Sequence, residues 1–182
     1  MGKIVHKGIT YANVNFGMGR GISPVSETSL VPVLTGDNSN VISSGYDYNA
    51  PAWHVFDGTD SSWVSQLSYS ANSRYVGYKF NTPVLCNKIK IIYINDHAYF
   101  RYQYPARYMI QGSLDNGTTW EDIFEDFWTP DDGTGTITRT REVTFENSTE
   151  YNAYRLLFAL IGPDNQNYLV LAELQFIQVV YG

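Results

Sequence analysis

The feature that most constrains this chain is a two-residue alternation, repeated along its length and punctuated by turn residues. Over 75–80, Val76, Tyr78 and Phe80 fall on one face and Tyr75, Gly77 and Lys79 on the other. Over 87–94, Ile89, Ile91 and Tyr93 oppose Lys88 and Lys90. A period of two belongs to a half-buried strand, because successive side chains leave a pleated backbone on opposite sides. Tyr154, Leu156, Phe158 and Leu160 repeat the pattern; 41–44, 108–111 and 168–180 read as further strands, and 136–145 as a solvent-facing one with Ile137, Val143 and Phe145 as its apolar points. Turn signals separate them. Asn81-Thr82-Pro83 breaks one run, the stretches 129–135 and 162–167 are polar loops, and Asn116-Gly117 supplies two positive-φ positions for a type I′ hairpin. No window has convincing helical spacing. Eight to ten short strands with evenly spaced turns predict an all-β chain, an antiparallel β-sandwich or jelly roll.

Composition agrees. The 182 residues include 15 Tyr, 9 Phe, 4 Trp and 15 Gly, a mixture that favours strands and turns. A net charge of −6 argues against a nucleic-acid partner, because phosphate binding needs clustered cations. Lys88, Lys90, Arg139 and Arg141 come nearest to such a cluster, and at strand spacing they read as a solvated face. The single cysteine, Cys86, sits in an apolar stretch and reads as a buried structural thiol. No segment has the length of a signal-peptide core or a membrane span, so a soluble protein without membrane insertion is expected.

The first 34 residues differ from the rest. Ile4-Val5 and Ile9-Thr10-Tyr11 flank Lys7-Gly8 as a small hairpin, 16–22 is too glycine-rich for a regular element, and Ser23-Pro24 and Val31-Pro32 continue an extended path. The expected organisation is an N-terminal arm or attachment segment, 1–34, followed by one sandwich domain, 35–182.

One stretch concentrates oxygen ligands. In 52–65 (AWHVFDGTDSSWVS) an apolar run enters Asp57-Gly58, followed by Thr59, Asp60, Ser61, Ser62 and Trp63. Asp-Gly is turn chemistry, and a compact oxygen-rich turn also suits a hard cation. Both an ordinary strand-to-strand turn and a cation loop fit these residues.

The order of features carries a resemblance. The AWHVFDG…SSW segment is followed by YVGYKF, NKIKIIYI, YPARYMIQGSLDNGTTWEDI, YRLLF and, close to the end, LAELQF. Over about 41–177 this resembles the coagulation factor 5/8 type C, or discoidin, family of galactose-binding-like β-sandwiches, and is similar to family 32 carbohydrate-binding modules. The resemblance implies a structural Ca2+ at the Asp-Gly turn. Its ligands would be the His54 carbonyl, Asp57, Asp60 or Thr59, Ser62, the Ala172 carbonyl and Glu173. The spacing from Asp57 to Trp63 is one residue shorter than the family's usual, which leaves open which loop oxygens take part.

The family binds ligands on loops at one end of its sandwich, which by position are here 66–74, 95–107 and 162–168. The middle loop offers His97 and Arg101 as donors, Asp96 as acceptor, and Tyr99, Phe100, Tyr102 and Tyr104 as flat faces. Sugars need that mixture: aromatic faces for C–H patches and a few aimed polar groups for hydroxyls. Aromatics at strand spacing equally suit a core. Asn165, Asn167 and Tyr168 are candidates from the last loop; Tyr69 and Arg74 are weaker ones.

These readings imply a non-catalytic carbohydrate-binding or adhesion module with a surface glycan, galactose-like or another sugar, as partner. Multiple copies would strengthen weak single-site binding, and a homo-oligomer is one way to display them. The opening KIVHKGITYA resembles first strands of phage tail proteins over a few residues. A bacteriophage structural protein (tail, baseplate or capsid-decorating) is therefore expected, its arm meeting other virion subunits, in the virion or otherwise extracellular. The alternative is a purely structural virion protein whose sandwich mediates assembly. A glycan-active enzyme ranks below both. His6, His54 and His97 lack metal-ligand spacing, and no G-x-S-x-G elbow occurs. The acidic pairs Glu121-Asp122 and Glu125-Asp126 read as solvating a turn, although glycosidase carboxylates meet in space and not in sequence.

Overall fold

The computed structural model describes residues 5–6, 9–10, 23–45, 50–59, 63–65, 74–95, 105–128, 137–161 and 169–182. Their strands are β1 (Val5–His6), β2 (Ile9–Thr10), β3 (Pro24–Ser29), β4 (Val41–Ser43), β5 (Trp63–Ser65), β6 (Arg74–Val84) and β7 (Lys88–Asn95). After these come β8 (Pro105–Ser113), β9 (Glu121–Phe127), β10 (Ile137–Thr144), β11 (Tyr151–Ile161), β12 (Leu169–Leu171) and β13 (Glu173–Tyr181). Two main sheets result, one of four strands in the order β10-β7-β13-β3 and one of five in the order β4-β6-β11-β8-β9. Every pairing in them is antiparallel. The chain is an antiparallel β-sandwich, as the alternation predicts.

The core forms where the inward faces meet. Val76, Ile89, Ile91, Ile110, Tyr154, Leu156 and Phe176 are fully buried, and Tyr93 and Phe158 nearly so. Tyr154 combines the apolar and polar demands of that interior. Its ring lies 6.2 Å from Phe80 and 5.8 Å from Phe176. Its hydroxyl donates to the Val84 carbonyl at 2.9 Å and accepts from the Cys86 amide at 3.1 Å. Asn147 Nδ2 donates to the same hydroxyl at 3.2 Å, so Tyr154 stitches the β6–β7 connection to the segment before β11. Cys86 is buried as expected.

Close backbone approach on the outer face of the five-stranded sheet requires Gly77. A Cβ there would collide with the Tyr154 carbonyl oxygen and the Arg155 backbone. At the β8–β9 hairpin, Asn116 has φ 57° and Gly117 φ 91°, the two left-handed positions read from Asn-Gly.

Several expectations change. Part of the arm belongs to the sandwich: β3 pairs with β13 as the edge of the four-stranded sheet, and Val31 and Leu34 are core residues. Residues 11–22 lie outside the described residues. The basic residues of β7 and β10 are not a freely solvated face. Lys88 Nζ sits 2.9 Å from both Glu27 and Glu142, and Arg141 pairs with Asp126. The acidic pairs do not solvate a turn either, because they lie in β9. Tyr108 donates to Asp126 at 2.7 Å, Arg107 pairs with Glu125, Gln111 donates to Asp122, and the Tyr151 hydroxyl donates to Glu121 at 2.9 Å. Finally, 52–56 is a 3-10 segment, not a strand running into its turn.

Candidate functional site

Registers define the two ends of the sandwich. Asn95 faces Ile137, Phe158 faces Arg74, Ile161 faces Pro105, and Arg107 faces Phe127. The strand ends that flank 66–73, 96–104, 129–136 and 162–168 therefore share one end, the apex. Lys88 facing Thr144 and Val84 facing Tyr151 mark the opposite end. His97, Tyr99, Phe100, Arg101, Asn165, Asn167 and Tyr168 lie outside the described residues, as do Asp96, Tyr69, Tyr102 and Tyr104. What is described is the platform that bears them, rigid antiparallel strands whose apical ends meet.

The platform contributes residues of its own. Arg74 opens β6 at 5% exposure, and burial pulls its guanidinium pKa below the usual value. Arg107 carries its guanidinium 5.6 Å from the centroid of the Phe127 ring, which is 62% exposed. An exposed phenyl ring with a cation above it, at the loop-bearing end, is a feature that motif reading missed. The available signal was the β9 alternation, which sets Phe127 on the same side as Glu125 and Ile123.

The Asp-Gly turn forms a second locus. Pro51 precedes the 3-10 segment Ala52–Phe56, whose Val55 and Phe56 side chains anchor it in the core. The chain then turns at Asp57 and at Gly58, whose φ is 68°. Asp57 Oδ1 accepts from the Thr59 amide at 2.8 Å and from its hydroxyl at 2.7 Å. Glu173 Oε2 accepts from the Gly58 amide at 3.2 Å. The turn and the start of β13 are thus brought together, as the resemblance implied.

Electrostatics at this clasp suit a cation. Asp57 is 8% exposed and Glu173 6%. Burial pushes the Glu173 carboxyl up to about 7, against the pull of hydrogen bonds from Gln175 and Gly58, and the nearby Asp57 adds to the rise. Two buried carboxylates are costly unless a cation or a proton accompanies them. Among the described residues no three of His, Cys, Asp and Glu gather. The resemblance would add the His54 and Ala172 carbonyls and loop oxygens to these two carboxylates, hard donors of the kind calcium takes. Asp60 and Ser62 lie outside the described residues. The His54 carbonyl already accepts from the Asp57 amide at 3.3 Å, and carbonyl oxygens have a second lone pair to offer.

No family profile and no curated protein sequence matches this chain. Solved structures do. The family 32 module of Clostridium perfringens NanJ, in complex with galactose, aligns with a TM-score of 0.57 at 15% identity, over 76% of this chain and 92% of that one. A C. perfringens family 32 module in complex with GalNAc-β-1,3-galactose gives 0.55 at 18%, over 74% and 91%. Chitosan-binding module 1 of a chitosanase/glucanase from Paenibacillus sp. IK-5 gives 0.56 at 18%, over 83% and 98%. The fold is the galactose-binding-like β-sandwich. At these identities the likeness speaks for the fold alone; these neighbours are carbohydrate- and chitosan-binding modules, and another C. perfringens chain of the same fold also carries an M60 catalytic domain.

Proposed function

We infer that this chain is a non-catalytic glycan-binding module that presents its ligand site on the apical loops. The observation that carries the reading is the convergence of strand ends flanking 66–73, 96–104 and 162–168 at one end of a sandwich shared with sugar-binding modules. His97 and Arg101 are assigned as hydrogen-bond donors to sugar hydroxyls. Tyr99, Phe100 and Tyr168 are assigned as stacking faces, with Asn165 and Asn167 as further polar contacts. The ligand class is a galactose-like terminal sugar of a surface glycan. Calcium bound by Asp57, Glu173, the His54 and Ala172 carbonyls, Asp60 and Ser62 would hold the turn against β13.

The chain is further proposed to act in several copies on a bacteriophage particle, with its N-terminal residues meeting other subunits. A glycan array tests the binding claim: the wild-type chain binds a galactose-type subset, and His97→Ala and Arg101→Ala lose it with unchanged melting temperature. A silent array from folded protein would reject it.

An assembly role is the second reading. It is favoured by β3, whose six residues are all exposed, at the edge of the four-stranded sheet beside Val180 and Tyr181. Light scattering that finds a concentration-independent monomer, with β3 freely cleavable by protease, would reject that reading.

A further inference from the structure

On the flank of the sandwich, below the apex, lies a cleft of about 300 Å3. It is walled by Asp37, Asn38, Ser39, Ser43, Pro51 and Trp53. Its position follows from the chain path. Val41 and Ser43 pair with Tyr78 and Val76, four and two residues down β6 from the apical Arg74. The 3-10 segment closes the same side, held by the Leu34 amide donating to the Phe56 carbonyl at 2.8 Å. Its lining residues are distinct from those of the apical loops.

Its chemistry matches one pyranose ring. A volume near the lower limit of ligand clefts admits a single sugar unit. One wall is the half-buried indole of Trp53, whose ring stands edge-to-face with His54 at 4.3 Å and is thereby held in orientation. A fixed aromatic suits the C–H face of a sugar, while hydroxyls need short polar groups around the rim. Those are present. Asp37 is an exposed acceptor, and Ser39 and Ser43 carry hydroxyls. Asn38 spends its Oδ1 on the Asn40 amide at 2.9 Å, which fixes the side chain and leaves the NH2 to donate. The lining has a carboxylate and no lysine or arginine, so an acidic sugar is disfavoured.

A larger cleft at the opposite end, beside Asn87, Phe145, Asn147 and Tyr181, lacks that freedom. Asn87 is bonded through both side-chain atoms to the Val179 backbone, and Asn147 Nδ2 to the Cys86 carbonyl.

We propose that the flank cleft at Trp53 and Asp37 is a second saccharide site, taking one neutral or amino-bearing pyranose independently of the apical loops. It extends the glycan-binding reading to a second contact. Two weak contacts on one glycan would strengthen binding without any new chemistry.

The test is a nitrogen-15 NMR titration of the full chain with methyl galactoside, glucosamine and glucuronic acid, following the Trp53 indole and the Ser39 and Ser43 amides. The neutral and amino sugars shift these signals, and glucuronic acid does not. The shifts persist in the apical variant Arg101→Ala. In Asp37→Ala the apparent affinity falls about tenfold, the loss of one hydrogen bond to a charged group. Trp53→Ala removes the shifts as well. Because that change touches the core, the exposed Asp37→Ala carries the test on its own. Shifts confined to apical signals such as Phe127 overturn the flank site and leave the apical reading intact. Shifts at Trp53 without apical ones support the flank site and count against the apex. No shift at Trp53 with any sugar, or a response equal for glucuronic acid, overturns the proposal.

Discussion

The Gly58 amide donates to Glu173 Oε2 at 3.2 Å, which ties a turn in the first third of the chain to the first residue of its last strand. The bond joins two segments that also contribute the buried carboxylates of Asp57 and Glu173. Whatever neutralises that pair sets how firmly the turn is held.

Stability at the clasp therefore depends on pH and on calcium. The Glu173 carboxyl stands raised from an ordinary 4.5 to about 7, so the folded chain keeps a proton that the unfolded chain releases. Its contribution is complete below about pH 4.5 and is lost as pH rises to about 7. In EDTA the melting temperature of the wild type falls across that interval through this group, and in Glu173→Gln this component is absent. Calcium at a hundred times its dissociation constant raises the wild-type melting temperature at pH 8 by about 5–10 °C. Asp57→Asn and Glu173→Gln abolish the rise. A wild type indifferent to both pH and calcium would show the clasp to be a turn only.

Tyr154→Phe keeps the ring and removes one hydroxyl. The Cys86 amide and the Val84 carbonyl then lose their partner in a buried setting. The expected destabilisation is about 1–3 kcal/mol, measured by urea unfolding with an unchanged m-value. A loss below about 0.5 kcal/mol would mean that the hydroxyl is dispensable to the interior.

Gly77→Ala tests close approach of backbone. The added methyl meets the Tyr154 carbonyl and the Arg155 backbone, neither of which can rotate away. The expected cost is about 3 kcal/mol or more, seen as a lower urea midpoint or as insoluble expression. An alanine variant as stable as wild type would contradict the β6–β11 register at Gly77 and Arg155.

How legible the chain was depends on how each segment meets solvent. Strands buried on one face, such as β6, β7 and β11, announce themselves through alternation, and the hairpin announces itself through Asn116-Gly117. β3 gives no such signal. Its six residues, PVSETS, are exposed on both faces, so no period of two develops and the segment reads as arm. The acidic residues of β9 read as turn because their partners, Arg107, Gln111, Arg141 and Tyr151, come from other strands. The Asp57–Glu173 pairing came from family resemblance, since neither segment alone points to the other.

Cys86 offers a reading of core tightness. Burial pushes its thiol up to about 12, so almost no thiolate exists at neutral pH. A disulfide reagent at pH 8 reacts with native protein only through unfolding, while denatured protein reacts at once. Rapid stoichiometric reaction under native conditions would contradict the buried placement beside Tyr154.

Calorimetric titration of the folded chain with galactose- and GalNAc-terminated oligosaccharides tests the central claim most directly. Saturable binding is predicted, weakened about tenfold or more in His97→Ala and Arg101→Ala, each the loss of a direct hydrogen bond to sugar, with melting temperatures unchanged. Absence of binding to any glycan, or binding untouched by both substitutions, would contradict it.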